Sequence, residues 1–178
     1  MKHSIEMKKG FTMVELLVVV SIMGILSTMG IASLHAAVVN NRVRDAAVNV
    51  TAYLERVASE ANRLSDTVCV KAKSSKDSII AYKGSCSSNK KVKISGYGFE
   101  KGIPLKFDNS CTYDGSTWNL STGVPFVPKF GLSAAPVQGC VIIPYSTGEK
   151  KALAVKKKDK NNIVPQVSYD SGSSWMDP

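Results

Sequence analysis

The sequence predicts an α+β protein in which a long N-terminal α-helix, first membrane-spanning and then stalk-like, packs on a C-terminal antiparallel β-rich head. Three observations predict it. Residues 16–41 contain no Asp, Glu, Lys or Arg. Beyond them, apolar residues recur at helical spacing as far as Leu64, and after Ser65 the pattern changes to short β-prone stretches between Ser, Gly, Asn and Lys clusters. The 178 residues suit one ordinary globular domain plus one extended element. The expected organisation is a leader over 1–10, a transmembrane and amphipathic helix over 11–64, and a β-rich head over 65–178.

The first ten residues, MKHSIEMKKG, carry Lys2, Lys8 and Lys9 against Glu6, and the apolar stretch begins at Phe11. Positive flanking charge keeps such a leader on the cytoplasmic side. An ordinary secretory signal is cut beyond its apolar core, where Ser33, Ala36 and Ala37 offer small residues. The uncharged run of about 26 residues is longer than the roughly 7–15 of a signal core and long enough to cross about 30 Å of hydrocarbon. A retained membrane helix is therefore expected. Glu15, in FTMVELLVVV, breaks the apolar pattern early. A carboxylate at the edge of a spanning helix is unfavourable unless it is partnered, so its natural partner is a positive charge. The alternative is a headgroup-level charge with no partner.

The stretch KKGFTMVELLVVVSIMGIL resembles the class III signal of type IV pilins, pseudopilins and competence pilins. The resemblance implies that a prepilin peptidase cuts between Gly10 and Phe11 on the cytoplasmic side and that Phe11 is then N-methylated. It places Glu15 at the fifth mature position, where the family carries a glutamate that meets the N-terminal amine of a neighbouring subunit during assembly. Pairing the two charges in a low-dielectric layer offsets a desolvation penalty that each would bear alone. The implied partners are prepilin peptidase, other pilin or pseudopilin subunits, inner-membrane assembly machinery and the membrane itself. The implied location is the bacterial inner membrane, with the head in the periplasm or outside, and then a pilus or pseudopilus. Many members have a proline where this chain has Ala32, so a kink there is not implied, although Gly24 and Gly30 are soft points in a helix.

Past the membrane run, Val43, Ala47, Val50, Leu54, Val57, Ala61 and Leu64 alternate steps of four and three, which is an amphipathic stripe. Arg44, Asp45, Asn49, Glu55, Arg56, Ser59 and Arg63 occupy the opposite face. The simplest partner for the stripe is a β-sheet of the same chain. A two-stranded coiled coil is the rival, although the stripe covers only about three heptads and is rich in Ala and Val. With no proline before Pro104, one helix from near Thr12 to about Leu64 follows.

Strands are expected near Val68–Lys73, Ser78–Tyr82, Lys91–Ile94, Pro104–Phe107, Pro125–Val127, Gly139–Pro144, Ala152–Lys156 and Ile163–Tyr169. The segments NSCTYDGSTWNLSTG and SSNKKVKISGYGFEKG are expected to hold variable surface loops. The segment PFVPKFGLSAAPVQGCVII, the basic strand after it and the terminal SYDSGSSW resemble the H-type pseudopilin and related minor pilins. There a Phe-x-Pro-x-Gly-like turn joins two sheets. Phe126, Pro128 and Gly131 approximate it, with Phe130 inserted before the glycine. This resemblance implies a minor subunit.

Cys69, Cys86, Cys111 and Cys140 all lie in the head, with no CxxC pair and no adjacent histidine, which disfavours zinc and thioredoxin-type chemistry. Four cysteines beyond a membrane segment point to two structural disulfides, four free thiols being the alternative. All three connectivities stay open. Neighbour pairing, Cys69 with Cys86 and Cys111 with Cys140, is preferred because it closes the two shortest non-overlapping loops.

The formal charge is +9, and +7 once a leader holding three Lys and one Glu is removed. Lys150, Lys151, Lys156, Lys157, Lys158 and Lys160 cluster near the C-terminus as candidate polyanion-binding residues, with Lys71, Lys73, Lys76, Lys90, Lys91 and Lys93 elsewhere. DNA bound through its phosphates, with Tyr169 or Trp175 stacking on bases, is one use of such a surface. The acidic surface of a partner subunit is another, and plain solubility is the commonest. His3 lies in the leader and His35 in the membrane-to-stalk stretch, so no histidine-dependent nucleophile or metal site is expected in the head. Asp108, Asn109, Asp114 and Gly115 offer oxygen ligands, but their spacing is not that of an EF-hand and matches ordinary turn chemistry. The expected function is therefore that of a structural filament subunit and not an enzyme, with no cofactor and no metal. A membrane-anchored basic head that binds DNA during uptake is the alternative.

Overall fold

A computed structural model describes residues 10–87, 92–129, 134, 136, 138–146 and 148–178, with the backbone alone at 29, 30 and 32. The chain divides into two compact units, one ending at Val39 and the other running from Asn40 to Pro178. Helix α1 (Met13–Leu64) continues through the division. Of the expected leader over residues 1–10, residues 1–9 lie outside the described residues.

In the first unit the helix has a window of mean hydropathy 2.2, long and apolar enough to cross a bilayer by length and composition. Most of its large side chains, among them Met13, Val14, Leu17 and Ile25, are more than half exposed. The Ser21, Ser27 and Thr28 hydroxyls donate to the carbonyls of Leu17, Met23 and Ile25 at 2.7–2.8 Å. Each polar group is thereby satisfied inside the helix, as an apolar surround requires.

In the second unit, Val43, Ala47, Val50, Leu54, Val57 and Ala61 are buried, joined by Ala46, Tyr53 and Ala58. The helix stripe therefore meets its own head. It packs against Ile79, Phe107, Phe126, Val141, Ile143, Ala152 and Val167 in one core. Burial of each Val, Leu, Ile or Phe side chain among them stabilises by about 1.5–3 kcal/mol. The helix ends in a Schellman motif. Ser65 takes φ 50°, its N–H bonds Asn62 O at 3.2 Å, and Asp66 N–H bonds Ala61 O at 3.3 Å.

Among the described residues, the head contains three antiparallel sheets. The first, in the order β3-β2-β1-β6, consists of β1 (Val68–Ala72), β2 (Ser78–Lys83), β3 (Val92–Gly98) and β6 (Val124–Phe126). Pro125 sits in its edge strand β6, where a missing N–H costs least. The second is a hairpin of β4 (Ser110–Tyr113) and β5 (Ser116–Asn119). The third, in the order β7-β8-β9, consists of β7 (Gly139–Pro144), β8 (Lys151–Lys156) and β9 (Ile163–Ser168). The α+β architecture, a long helix packed on antiparallel β-structure, is the one expected from sequence.

Two local expectations are corrected. Pro104–Phe107 is not a strand and makes only the bridge Leu105 to Tyr145. Leu105 and Phe107 are buried, which produces a strand-like alternation, but the backbone bonds separate elements: Lys106 N–H to Pro144 O and Phe107 N–H to Lys76 O. Conversely, NSCTYDGSTWNLSTG contains β4 and β5. Asp114 and Gly115 take φ 48° and 74° at its tip, the two left-handed residues that suit a tight hairpin. The expected strand near Lys91 is β3, with Lys91 itself outside the described residues.

Candidate functional site

At the helix start, Thr12 and Glu15 bind each other reciprocally. Glu15 N–H donates to Thr12 Oγ1 at 3.2 Å, while Thr12 N–H and its hydroxyl both donate to Glu15 Oε2 at 3.0 Å. This is a capping box, with Thr12 as N-cap and Glu15 three residues on. The motif T-x-x-E stands in the sequence, so Thr12 was legible there and was missed. Helix α1 consequently begins at Met13, leaving Gly10 and Phe11 as exposed, non-helical backbone. Among the described residues, nothing beyond its chain neighbours lies within 4 Å of a Cβ built on Gly10.

The four cysteines form two disulfides, Cys69–Cys86 and Cys111–Cys140, which is neighbour pairing. The first ties β1 to the chain after β2, and the second ties the β4–β5 hairpin to β7. A glycine makes room for the first disulfide, and another makes room for the Trp118 indole next to the second. A Cβ on Gly123 would lie 2.5 Å from Cys69 Sγ, and one on Gly139, beside Cys140, would lie 2.0 Å from Trp118 Nε1.

The six C-terminal lysines do not form one patch. Lys150 and Lys151 lie at the start of β8 and Lys156 at its end, with Lys157, Lys158 and Lys160 beyond, so the two groups are about 17 Å apart along the strand. Lys156 is buried, and burial pushes its pKa down against the opposing pull of Glu55. Lys150 Nζ donates to Asn40 Oδ1 at 2.6 Å and Lys151 Nζ to Ser171 O at 2.7 Å. Only Lys158 and Lys160 of the six are exposed, the others being half-buried or buried. Tyr169 and Trp175 are partly buried against the two core clusters, which limits their faces for base stacking. Lys90 and Lys91 lie outside the described residues.

Glu55, assigned to the polar helix face, instead accepts a hydrogen bond from the Ile163 N–H and so pins β9 to the helix. Sequence periodicity has no signal for that contact. Asp108 and Asp114 lie at opposite ends of β4, so their loop does not gather into one ligand set. Among the described residues, no group of three His, Cys, Asp or Glu side chains comes together as a metal site would require. Phe126 is buried at the end of β6 and Pro128 follows it in the segment leading to β7 of another sheet. Phe130 and Gly131 of the expected turn lie outside the described residues.

Residues 7–31 match the family model described as the prokaryotic N-terminal methylation motif. The match covers the end of the leader, Gly10, Phe11, the capping box and the first half of the apolar run. Neither a curated protein nor a solved structure gives a significant match. The chain thus carries, ahead of a pilin-like α+β fold, the N-terminal methylation motif that serves as the class III signal of type IV pilin-like proteins.

Proposed function

We propose that this chain is a minor pilin or pseudopilin, a structural subunit of a type IV pilus or a type II secretion filament. The observation that carries the reading is the coincidence of the methylation motif with a helix capped two residues after Gly10. Prepilin peptidase cuts the exposed Gly10–Phe11 bond and Phe11 is N-methylated. Residues 11–41 hold the product in the inner membrane, and residues 65–178 form the head beyond it. Assembly draws subunits from the bilayer so that their apolar helices bury one another, the loss of exposed apolar surface providing the cohesion. Thr12 bonds only Oε2 of Glu15 in the capping box, which supports a role for Oε1 as acceptor for a neighbour's N-terminal amine. The minor role rests on the resemblance of the 125–143 segment to the H-type pseudopilin.

Capping and charge can be separated at Glu15, because Gln also serves at the third position of a capping box. Glu15→Gln is expected to insert and fold as the parent does but to be depleted at least tenfold from sheared filaments. Parental incorporation of Glu15→Gln would remove the charge pair from the assembly account.

A further inference from the structure

One face of the head gathers cations where the helix leaves its uncharged run. Lys150 bonds Asn40, and Arg42 and Arg44 follow within the next turn, both exposed. The Tyr145 N–H reaches Lys150 O at 2.8 Å and the Lys106 N–H reaches Pro144 O at 3.4 Å, which brings Lys106 and Tyr145 to the same end. Pro104, Lys106, Pro144, Tyr145 and Ser146 line a groove of about 430 Å³ there.

Residues 16–41 form about 39 Å of helix, whereas bilayer hydrocarbon is about 30 Å thick. The last several residues of the run, and Asn40 with them, therefore reach headgroup depth. Lysine, arginine and tyrosine are the side chains that suit this layer, the cations by pairing with lipid phosphates and tyrosine by its amphipathic ring. Arg42, Asp45 and Glu100 line a neighbouring groove and exposed Glu149 precedes Lys150, so these carboxylates offset part of the charge, but Arg42, Arg44, Lys106 and Lys150 outnumber them.

We infer that this face of the head rests on anionic phospholipid headgroups while the subunit waits in the membrane. The inference rests on reading residues 16–41 as a bilayer span. A nucleic acid fits the surface less well, because Lys156, Lys157, Lys158 and Lys160 lie at or beyond the far end of β8 and do not extend a continuous track.

The test uses the full chain in nanodiscs of phosphatidylcholine, alone or mixed with phosphatidylglycerol, and an uncharged acetylating reagent read by mass spectrometry at each lysine. Lys106 should react about fivefold more slowly in the anionic discs, Lys158 and Lys160 at unchanged rates, and the difference should vanish near 1 M salt. Equal Lys106 rates in both lipids, with the chain still in the discs, would overturn the inference and leave the span intact. A chain that fails to co-purify with either disc would instead remove the span, and the inference with it. Protection of Lys106 by an added oligonucleotide but not by phosphatidylglycerol would also overturn it, in favour of a nucleic-acid surface.

Discussion

Thr12 and Glu15 close the N-terminus of a 52-residue helix on each other, through the Thr12 hydroxyl and backbone N–H on one side and the Glu15 N–H and carboxylate on the other. One pair therefore fixes where the helix starts, just after the exposed, non-helical Gly10 and Phe11. Thr12→Ala removes the acceptor for the Glu15 N–H and should cost about 1 kcal/mol at the helix start. In amide exchange that appears as about fivefold faster exchange at Glu15, with the middle of the helix unaffected. An unchanged Glu15 rate would show that the cap contributes nothing.

Trp118 covers Gly139 so closely that a β-carbon has no place, and Gly139 also takes φ 146°, where L side chains are strained. Gly139→Ala combines overpacking with backbone strain and should destabilise the head by about 3 kcal/mol or more. For a unit of this size, Tm falls by roughly 10 °C, measured on the detergent-solubilised chain by circular dichroism. A drop of only a degree or two would mean that the indole moves aside easily.

The two disulfides should fail differently. Replacing Cys111 and Cys140 by Ala releases the β4–β5 hairpin, which β7 otherwise holds, and should cost about 3 kcal/mol while making 110–119 a new site of limited proteolysis. Replacing Cys69 and Cys86 should cost a similar amount yet leave the hairpin resistant. Identical cleavage patterns would contradict the division of labour.

Asp170 anchors the final turn. Its carboxylate accepts from the Ser168 hydroxyl at 2.6 Å and from the Ser174 N–H at 3.0 Å, and these bonds hold its pKa well below the usual carboxylate range. A depressed folded pKa gives stability that is present above the unfolded value near 4 and is lost as pH falls through the folded one. Exchange at Gly172 and Ser174 should therefore accelerate as pH drops below about 4, after correction for intrinsic rates, and Asp170→Asn should flatten that dependence. An equally steep response in Asp170→Asn would assign it to other carboxylates.

The helix was legible almost to the residue because its signals are local and additive: an uncharged run, a three-four stripe and no proline. Its stop was less so, since Ser65 takes a left-handed position that glycine usually marks. The β4–β5 hairpin had a signal, Asp-Gly between β-prone residues, that was hidden by a reading of polar Ser and Thr as loop. Leu105 and Phe107 misled because an irregular segment that buries alternate side chains has the same period as a strand. The basic cluster misled for a different reason. Six lysines within eleven residues look like one patch, but β8 carries them across the head and buries Lys156 on the way. At the N-terminus, the break in the apolar run singled out Glu15 and the resemblance to the class III signal singled out Gly10 and Phe11, whereas the cap geometry needed the side-chain positions.

The central claim is that Gly10–Phe11 is a processing site and α1 an assembly element. Intact mass with N-terminal sequencing of the protein recovered from membranes and from sheared surface filaments tests it most directly. The account predicts a chain beginning at N-methylated Phe11 in both fractions. A chain beginning at Met1, or beyond Ser33, would contradict it and leave an ordinary membrane anchor or a secreted domain.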